Sequence, residues 1–191
     1  MDRLGAYDLG MLYWFTRWRG PWLDEALLTV THVGDLAVLI GVVLSGMTVL
    51  LARRRPRLAG VLLLVALLGW GVEWGVKVTV ARPRPHVSTA LAEPPDQPSF
   101  PSGHALGTMA VYGSLGLLLS RALSKAAWPF VAGGVSLSLV VGLTRVMIGI
   151  HYPSDVLVGW VAGVLCVCLA AALAGPPEAK PPAPTGDPDG R

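Results

Sequence analysis

The sequence predicts an all-α fold: a polytopic transmembrane helical bundle of about five spans, preceded by an N-terminal amphipathic helix lying at the membrane interface. Composition is the first observation behind it. Hydrophobic residues make up 53% of the 191 residues and charged residues only 14%, with a mean hydropathy of +0.58, which leaves too little polar surface to cover a water-soluble domain of this size. The second observation is the grouping of the apolar residues. Long runs fall at 34–51, 58–76, 104–119, 126–142 and 155–174, and a helix needs roughly 17–25 such residues to cross a bilayer core. A soluble helical protein would interrupt these runs with polar faces.

Residues 1–33 form the interfacial segment. Leu4, Leu9, Met11, Leu12, Tyr13, Trp14, Phe15 and Trp18 are interleaved with Asp2, Arg3, Asp8, Arg17 and Arg19, a mixture that suits a helix with Trp at headgroup level. A basic start, an apolar core and a cleavage site are all missing, so it does not read as a signal peptide. Gly20-Pro21 breaks the helix, and a second short one is expected over 22–32, with Asp24 and Glu25 near its start, leading through Gly34-Asp35 into the first span. The spans from 104 and 126 are the shortest. Cys166 and Cys168, two apart in the last span, point in different directions on a helix and read as structural. The Pro-rich polar stretch 175–191 is expected to be a disordered cytoplasmic tail, leaving 34–174 as the transmembrane unit.

Basic residues set the expected orientation. Arg53, Arg54, Arg55 and Arg57 crowd the loop between spans one and two, and Arg121 and Lys125 the loop between spans three and four, so both loops should be cytoplasmic. The two loops holding residues 77–101 and 144–154 then share the extracytoplasmic face. Arg3, Arg17 and Arg19 on the outside argue weakly against this.

Those two loops carry three chemical stretches. Lys77 is followed seven residues later by Arg84-Pro85; Pro101-Ser102-Gly103-His104 opens the third span; Thr144-Arg145 is followed by His151 and Asp155. Three cations, two histidines and a carboxylate suit the breaking of a phosphate ester, which needs fixed positive charge on the phosphoryl oxygens, a nucleophile in line and an acid for the departing oxygen. Lys77 closes span two, and Pro83 and Pro85 forbid helix beyond it, so Arg84 should fold back over the helix end. Arg84 and Arg145 each offer a planar fork to two phosphate oxygens, and Lys77 a movable point charge. Ser102 and Gly103, at a helix start, present backbone N–H groups to an anion, and glycine permits close approach. His151 suits a nucleophile whose other ring nitrogen is held by Asp155, the pair meeting across the turn that Pro153 and Ser154 impose. Each stretch alone has a plainer reading: helix-end anchors among headgroups for the cations, an N-cap for Ser102, a first-turn helix residue for Asp155. Glu73, one turn before Lys77, reads as half of a structural ion pair, and Arg82 and His86 are left without a role.

Taken in order, the three stretches resemble the signature of the type 2 phosphatidic acid phosphatase family, within the superfamily that also contains bacterial acid phosphatases and vanadium haloperoxidases. The resemblance covers residues 34–174, and Thr144, where the family pattern has Ser, is a mild departure. It implies a lipid phosphatase domain in a bacterial cell membrane, with an extracytoplasmic site and membrane lipids as surroundings. It also implies a two-step reaction: His151 forms a phosphohistidine while His104 protonates the departing group, Asp155 orients His151, and Lys77, Arg84, Ser102, Gly103 and Arg145 hold the phosphate. Neither metal nor other cofactor is implied. Undecaprenyl diphosphate, phosphatidylglycerol phosphate and phosphatidate are all compatible lipid phosphate substrates. Phosphoryl transfer to another lipid or alcohol is the nearest alternative, differing only in the acceptor. A transporter would explain the spans but not the collected histidines and cations, and the resembling haloperoxidases are soluble. The net charge of +3 is accounted for by topology and the site, and there is no GxxxxGK loop, so nucleic-acid binding has no support.

The orientation is open to direct measurement. With Cys166 and Cys168 removed, single cysteines at Pro94 and Arg55 should react with an impermeant thiol reagent from opposite sides, and labelling of position 55 in intact cells would overturn the assignment.

Overall fold

Helix α1 (Arg3–Thr16) leads into α2 (Pro21–Thr31) and a 3₁₀ turn (His32–Gly34); α3 (Leu36–Ala52) and α4 (Pro56–Val80) follow, then a long irregular connection. Beyond it a continuous helix is built from α5 (Gly103–Thr108), a π segment (Met109–Gly113) and α6 (Ser114–Ala122), before α7 (Trp128–Ile148) and α8 (Pro153–Ala174). This computed structural model describes residues 3–123 and 126–176, and all its regular elements are helical. The expected tail beyond residue 176 and Lys125 lie outside the described residues.

The helices of the amino-terminal segment fall where the sequence puts them, with Gly20-Pro21 at their junction. Beyond residue 33, α4, α7 and α8 are long and apolar enough to cross a membrane, and the α2–α3 pair, bent by 49°, makes a fourth candidate. The expected count of five is therefore not reached on length and composition. α3 alone has 17 residues. The expected span at 104–119 is a helix broken by the π segment, carrying buried Ser102, Thr108, Ser114 and Ser120.

Packing follows the distribution of small residues. Leu39, Val43, Leu50, Leu62, Val65, Val111 and Leu118 form the principal core where α3, α4, α6 and α8 meet. Away from it, helices approach on glycine. A Cβ on Gly159 of α8 would lie 2.8 Å from the Ser102 carbonyl oxygen, and one on Gly163 would lie 2.5 Å from Met109 Cβ, so α8 rides directly on α5. Without a strong hydrophobic drive between helices in lipid, close backbone contact of this kind and hydrogen bonds such as Thr108 Oγ1 to Ser138 Oγ, 2.9 Å, supply the adhesion.

The chain's ends sort onto two sides. Arg57, in the first turn of α4, donates to the Leu173 carbonyl at the end of α8, 2.9 Å away, and Arg121 donates to the Gly175 carbonyl. The three motifs lie at the opposite end of α8, where it begins. Arg19, expected to weigh against the orientation, is spoken for: its guanidinium donates to the Thr16, Met147 and Thr89 carbonyls and ties α1 to the motif end. Arg17 stacks against Trp14 and Trp18, with ring distances of 5.4 and 5.2 Å.

The glycine contacts give a paired test. Residue 134 faces the π segment, where an added Cβ would meet the Tyr112 carbonyl oxygen at 2.6 Å, while its neighbour Gly133 has nothing within 4 Å. Gly134→Ala should cost about 1–3 kcal/mol, and Gly133→Ala should change stability by less than about 1 kcal/mol. Thermal unfolding of the two purified variants in detergent compares them, and equal midpoints would contradict this packing.

Candidate active site

Three local devices bring the motif residues together. Helix α4 runs one turn past Lys77 to Val80 and stops at Ala81, whose φ of 46° is left-handed and costly for a residue with a Cβ. The chain therefore turns sharply before Pro83 and Pro85, and Arg84 comes back over the helix end as the sequence requires. Ser102 caps α5, its Oγ accepting from the Ala105 N–H at 3.5 Å. Gly149 ends α7 at φ 91°, a conformation that favours glycine, and turns the chain toward His151.

The result is a cavity of about 490 Å³ whose polar side carries Lys77, Arg84, Gly103, His104, Arg145 and His151. His151 is 2% exposed and Asp155 is fully buried. Arg84 anchors to the Gln97 and Ile150 carbonyls at 2.8 and 3.0 Å and also donates from Nη1 to His151 Nε2 at 2.9 Å. An arginine N–H only donates, so Nε2 presents its lone pair and the ring proton belongs on Nδ1. Nδ1 lies 3.4 Å from Asp155 Oδ2, facing the carboxylate outside hydrogen-bonding geometry, so the contact is electrostatic. Burial pushes the His151 pKa down to about 3; Arg84 and Arg145 add to the push, and Asp155 opposes it. The ring is therefore neutral at pH 7.

Arg145 is buried and donates from Nη1 to Thr31 Oγ1 at 2.8 Å, while its Nε has no partner. Ser102, by contrast, is occupied. Its N–H donates to the Asp155 carbonyl at 3.0 Å, and of the two residues expected to offer backbone donors only Gly103 lines the cavity. The Thr144 hydroxyl turns back to the Val141 carbonyl at 2.6 Å.

Glu73 pairs with Lys77, Oε1 to Nζ 2.7 Å, the ion pair that the sequence suggests. Its carboxylate also reaches into the cavity beside Gly103, where a Cβ would stand 2.0 Å from Oε1. The chain's own carboxylate thus lies among the groups expected to take phosphate, and only a glycine at 103 leaves it room.

Three participants escape a reading of the motifs. Asp35 Oδ1 is 3.1 Å from His104 Nε2, and its Oδ2 is 2.8 Å from His32 Nδ1. Arg82 reaches Asp155 Oδ1 at 2.6 Å and Asp8 Oδ2 at 2.7 Å, and lies 4.1 Å over the Tyr152 ring. Asp8, on α1, is 4% exposed. The signal for Asp8 and Asp35 was a carboxylate at the border of an apolar segment, which is costly unless paired; for Arg82 it was a third cation within an already basic stretch.

The chain and its fold have known relatives. The chain is 29% identical over 164 residues to phosphatidylglycerophosphatase B of Bacillus subtilis, with 77% of this chain and 73% of that protein aligned. To undecaprenyl-diphosphatase BcrC of the same organism it is 29% identical over 150 residues, 75% and 70% of the two chains. The crystal structure of a transmembrane PAP2-type phosphatidylglycerolphosphate phosphatase from Bacillus subtilis superposes with a TM-score of 0.83 at 25% identity, covering 89% of this chain and 85% of that one. The PAP2 superfamily model matches residues 36–176, a stretch that holds all three motifs, and the protein is a member of that superfamily.

Proposed function

We propose that this membrane phosphatase removes phosphate from a lipid phosphate or diphosphate through a phosphohistidine on His151, with no metal, at the extracytoplasmic face. The observation that carries the reading is the Arg84–His151 contact of 2.9 Å, which puts the ring's one lone pair on Nε2 beside the gathered cations, where it is freed for phosphorus once a phosphoryl oxygen takes the Arg84 N–H. The lipid character of the substrate is supported by the rest of the cavity wall: Leu36, Leu39 and Ile40 of α3 and Trp70 and Trp74 of α4 line it, and Trp74 is exposed on the outer surface. An amphiphile with an anionic head and apolar chains matches such a wall. The named relatives act on phosphatidylglycerophosphate and undecaprenyl diphosphate, and the same lipid class is proposed here.

In the first step Nε2 of His151 forms a bond to phosphorus as the P–O bond to the lipid breaks, and His104 gives a proton to the departing oxygen. Burial and the nearby Arg145 work against a protonated His104; Asp35, 3.1 Å away, opposes them, and the anionic phosphate adds to its pull. Positive charge developing on His151 is met by Asp155. In the second step water attacks phosphorus, its proton passes to His104, and inorganic phosphate leaves with His151 restored. Lys77, Arg84, Arg145 and the Gly103 N–H hold the phosphoryl oxygens, supplying fixed charge that Mg²⁺ supplies in other phosphotransfer enzymes.

Phosphate release from a panel of purified lipid phosphates in detergent, with excess chelator present, tests the reading. Turnover should persist with chelator, His151→Ala should form no phosphoprotein, and His104→Ala should form it with an aryl phosphate but not with a lipid alkyl phosphate. Turnover that needs added Mg²⁺, or phosphoprotein in His151→Ala, would sink it.

Glu73 adds a second expectation. Its carboxylate competes with phosphate for Lys77, so Glu73→Gln should tighten inhibition by inorganic phosphate about tenfold, or ~1.4 kcal/mol. An unchanged inhibition constant would show that the carboxylate does not compete.

A further inference from the structure

Asp8 lies on α1, ahead of residues 36–176 that the superfamily model matches. It is a carboxylate with 4% exposure on a helix whose outer face shows Tyr7, Met11 and Trp14. Burial of that kind is expensive, and every bond it makes converges on one place. Oδ2 accepts from Arg82 Nη2 at 2.7 Å and from Ser154 Oγ at 2.5 Å, and Oδ1 accepts from the Ser154 N–H at 3.0 Å. The same Arg82 donates from Nη1 to Asp155 Oδ1 at 2.6 Å and to Ser154 Oγ at 2.7 Å. Asp155 in turn accepts from the Tyr152 N–H at 2.9 Å and faces His151.

We infer that Asp8 is a positioning residue for the nucleophile, holding Asp155 against His151 through the fork of Arg82 and keeping that carboxylate negative toward the ring. The inference rests on the roles proposed above for His151 and Asp155. Two physical reasons carry it. The first is charge. Arg82 and Asp155 alone form a neutral pair, and a carboxylate whose charge is matched by a guanidinium at 2.6 Å has little left for an imidazole. With Asp8 on the other nitrogen the cluster of two carboxylates and one guanidinium carries net charge −1, and the side of it facing His151 stays negative as the ring turns cationic. The second is geometry. A planar guanidinium holding two carboxylates on different nitrogens, stacked at 4.1 Å on Tyr152, has no freedom to rotate, so Asp155 Oδ1 is fixed and Oδ2 is aimed. The carboxylate that orients the proposed nucleophile is therefore itself oriented from the amino-terminal helix.

A plainer role, in which Asp8 only pins α1 to α8, predicts different behaviour. Under the inference Asp8→Asn, which keeps the shape and loses the charge, lowers kcat and the rapid-quench rate of phosphohistidine formation about 10- to 100-fold, with KM within about twofold. Because the effect travels through Asp155, Asp8→Asn should cost less than about twofold more in an Asp155→Asn background that still shows residual turnover. Arg82→Lys keeps a cation but loses the planar fork that fixes the two carboxylates on separate nitrogens, and it carries the same expectation if Asp8→Asn is not recovered folded. Unchanged kcat in Asp8→Asn or Arg82→Lys, a loss confined to KM, or a full additive loss in the double variant would each overturn the inference. Failure of the proposed chemistry is distinguishable, because it appears as phosphoprotein in His151→Ala with a normal response to Asp8→Asn.

Discussion

Asp155 has no exposed surface, and a carboxylate in that position is costly unless its oxygens are paired and hydrogen-bonded. The start of α8 supplies the Tyr152 N–H, the connection after α4 supplies Arg82, and the turn after α7 supplies the ring of His151. Its own backbone carbonyl takes the Ser102 N–H and so locks the beginning of α5 to the beginning of α8. One residue thereby joins all three motifs. The left-handed turns at Ala81 and Gly149 serve the same end, since each redirects a chain that would otherwise carry its cation or imidazole out beyond the helix.

How much of this was legible in the sequence depended on distance along the chain. The helices could be read because composition is a local property, and the fold of the solved PAP2-type phosphatase agrees with them; the motif residues could be picked out because their spacing is local too. The pairing of Glu73 with Lys77 was legible for the same reason, being one helical turn. Asp35 meets His104 across 69 residues, and Asp8 meets Ser154 across 146, separations at which no periodicity survives. The count of five spans is not reached on length and composition for a different reason. Apolar length measures what a lone helix needs to cross lipid, whereas the helix from Gly103 is largely buried against its neighbours and tolerates Ser114, Ser120 and a π segment inside the bundle.

Glu73 shows how the same economy shapes the cavity. An empty pocket lined by Lys77, Arg84 and Arg145 would hold unneutralised positive charge near lipid, a state as costly as a buried carboxylate. Glu73 relieves it from within, beside the one position, Gly103, that has no side chain to obstruct it. Under the proposed function a phosphate that enters would displace this internal anion, and one that leaves would be replaced by it. Binding of the product would thereby weaken without removing any of the cations that the proposed transition state requires, which is the distinction between holding a ground state and stabilising a passage through it. The apolar wall of α3 and α4 stands apart from this exchange and would hold the chains of the proposed lipid. Head and tail of the proposed substrate are thus recognised by independent parts of one cavity, the head against a competing charge and the tail against none.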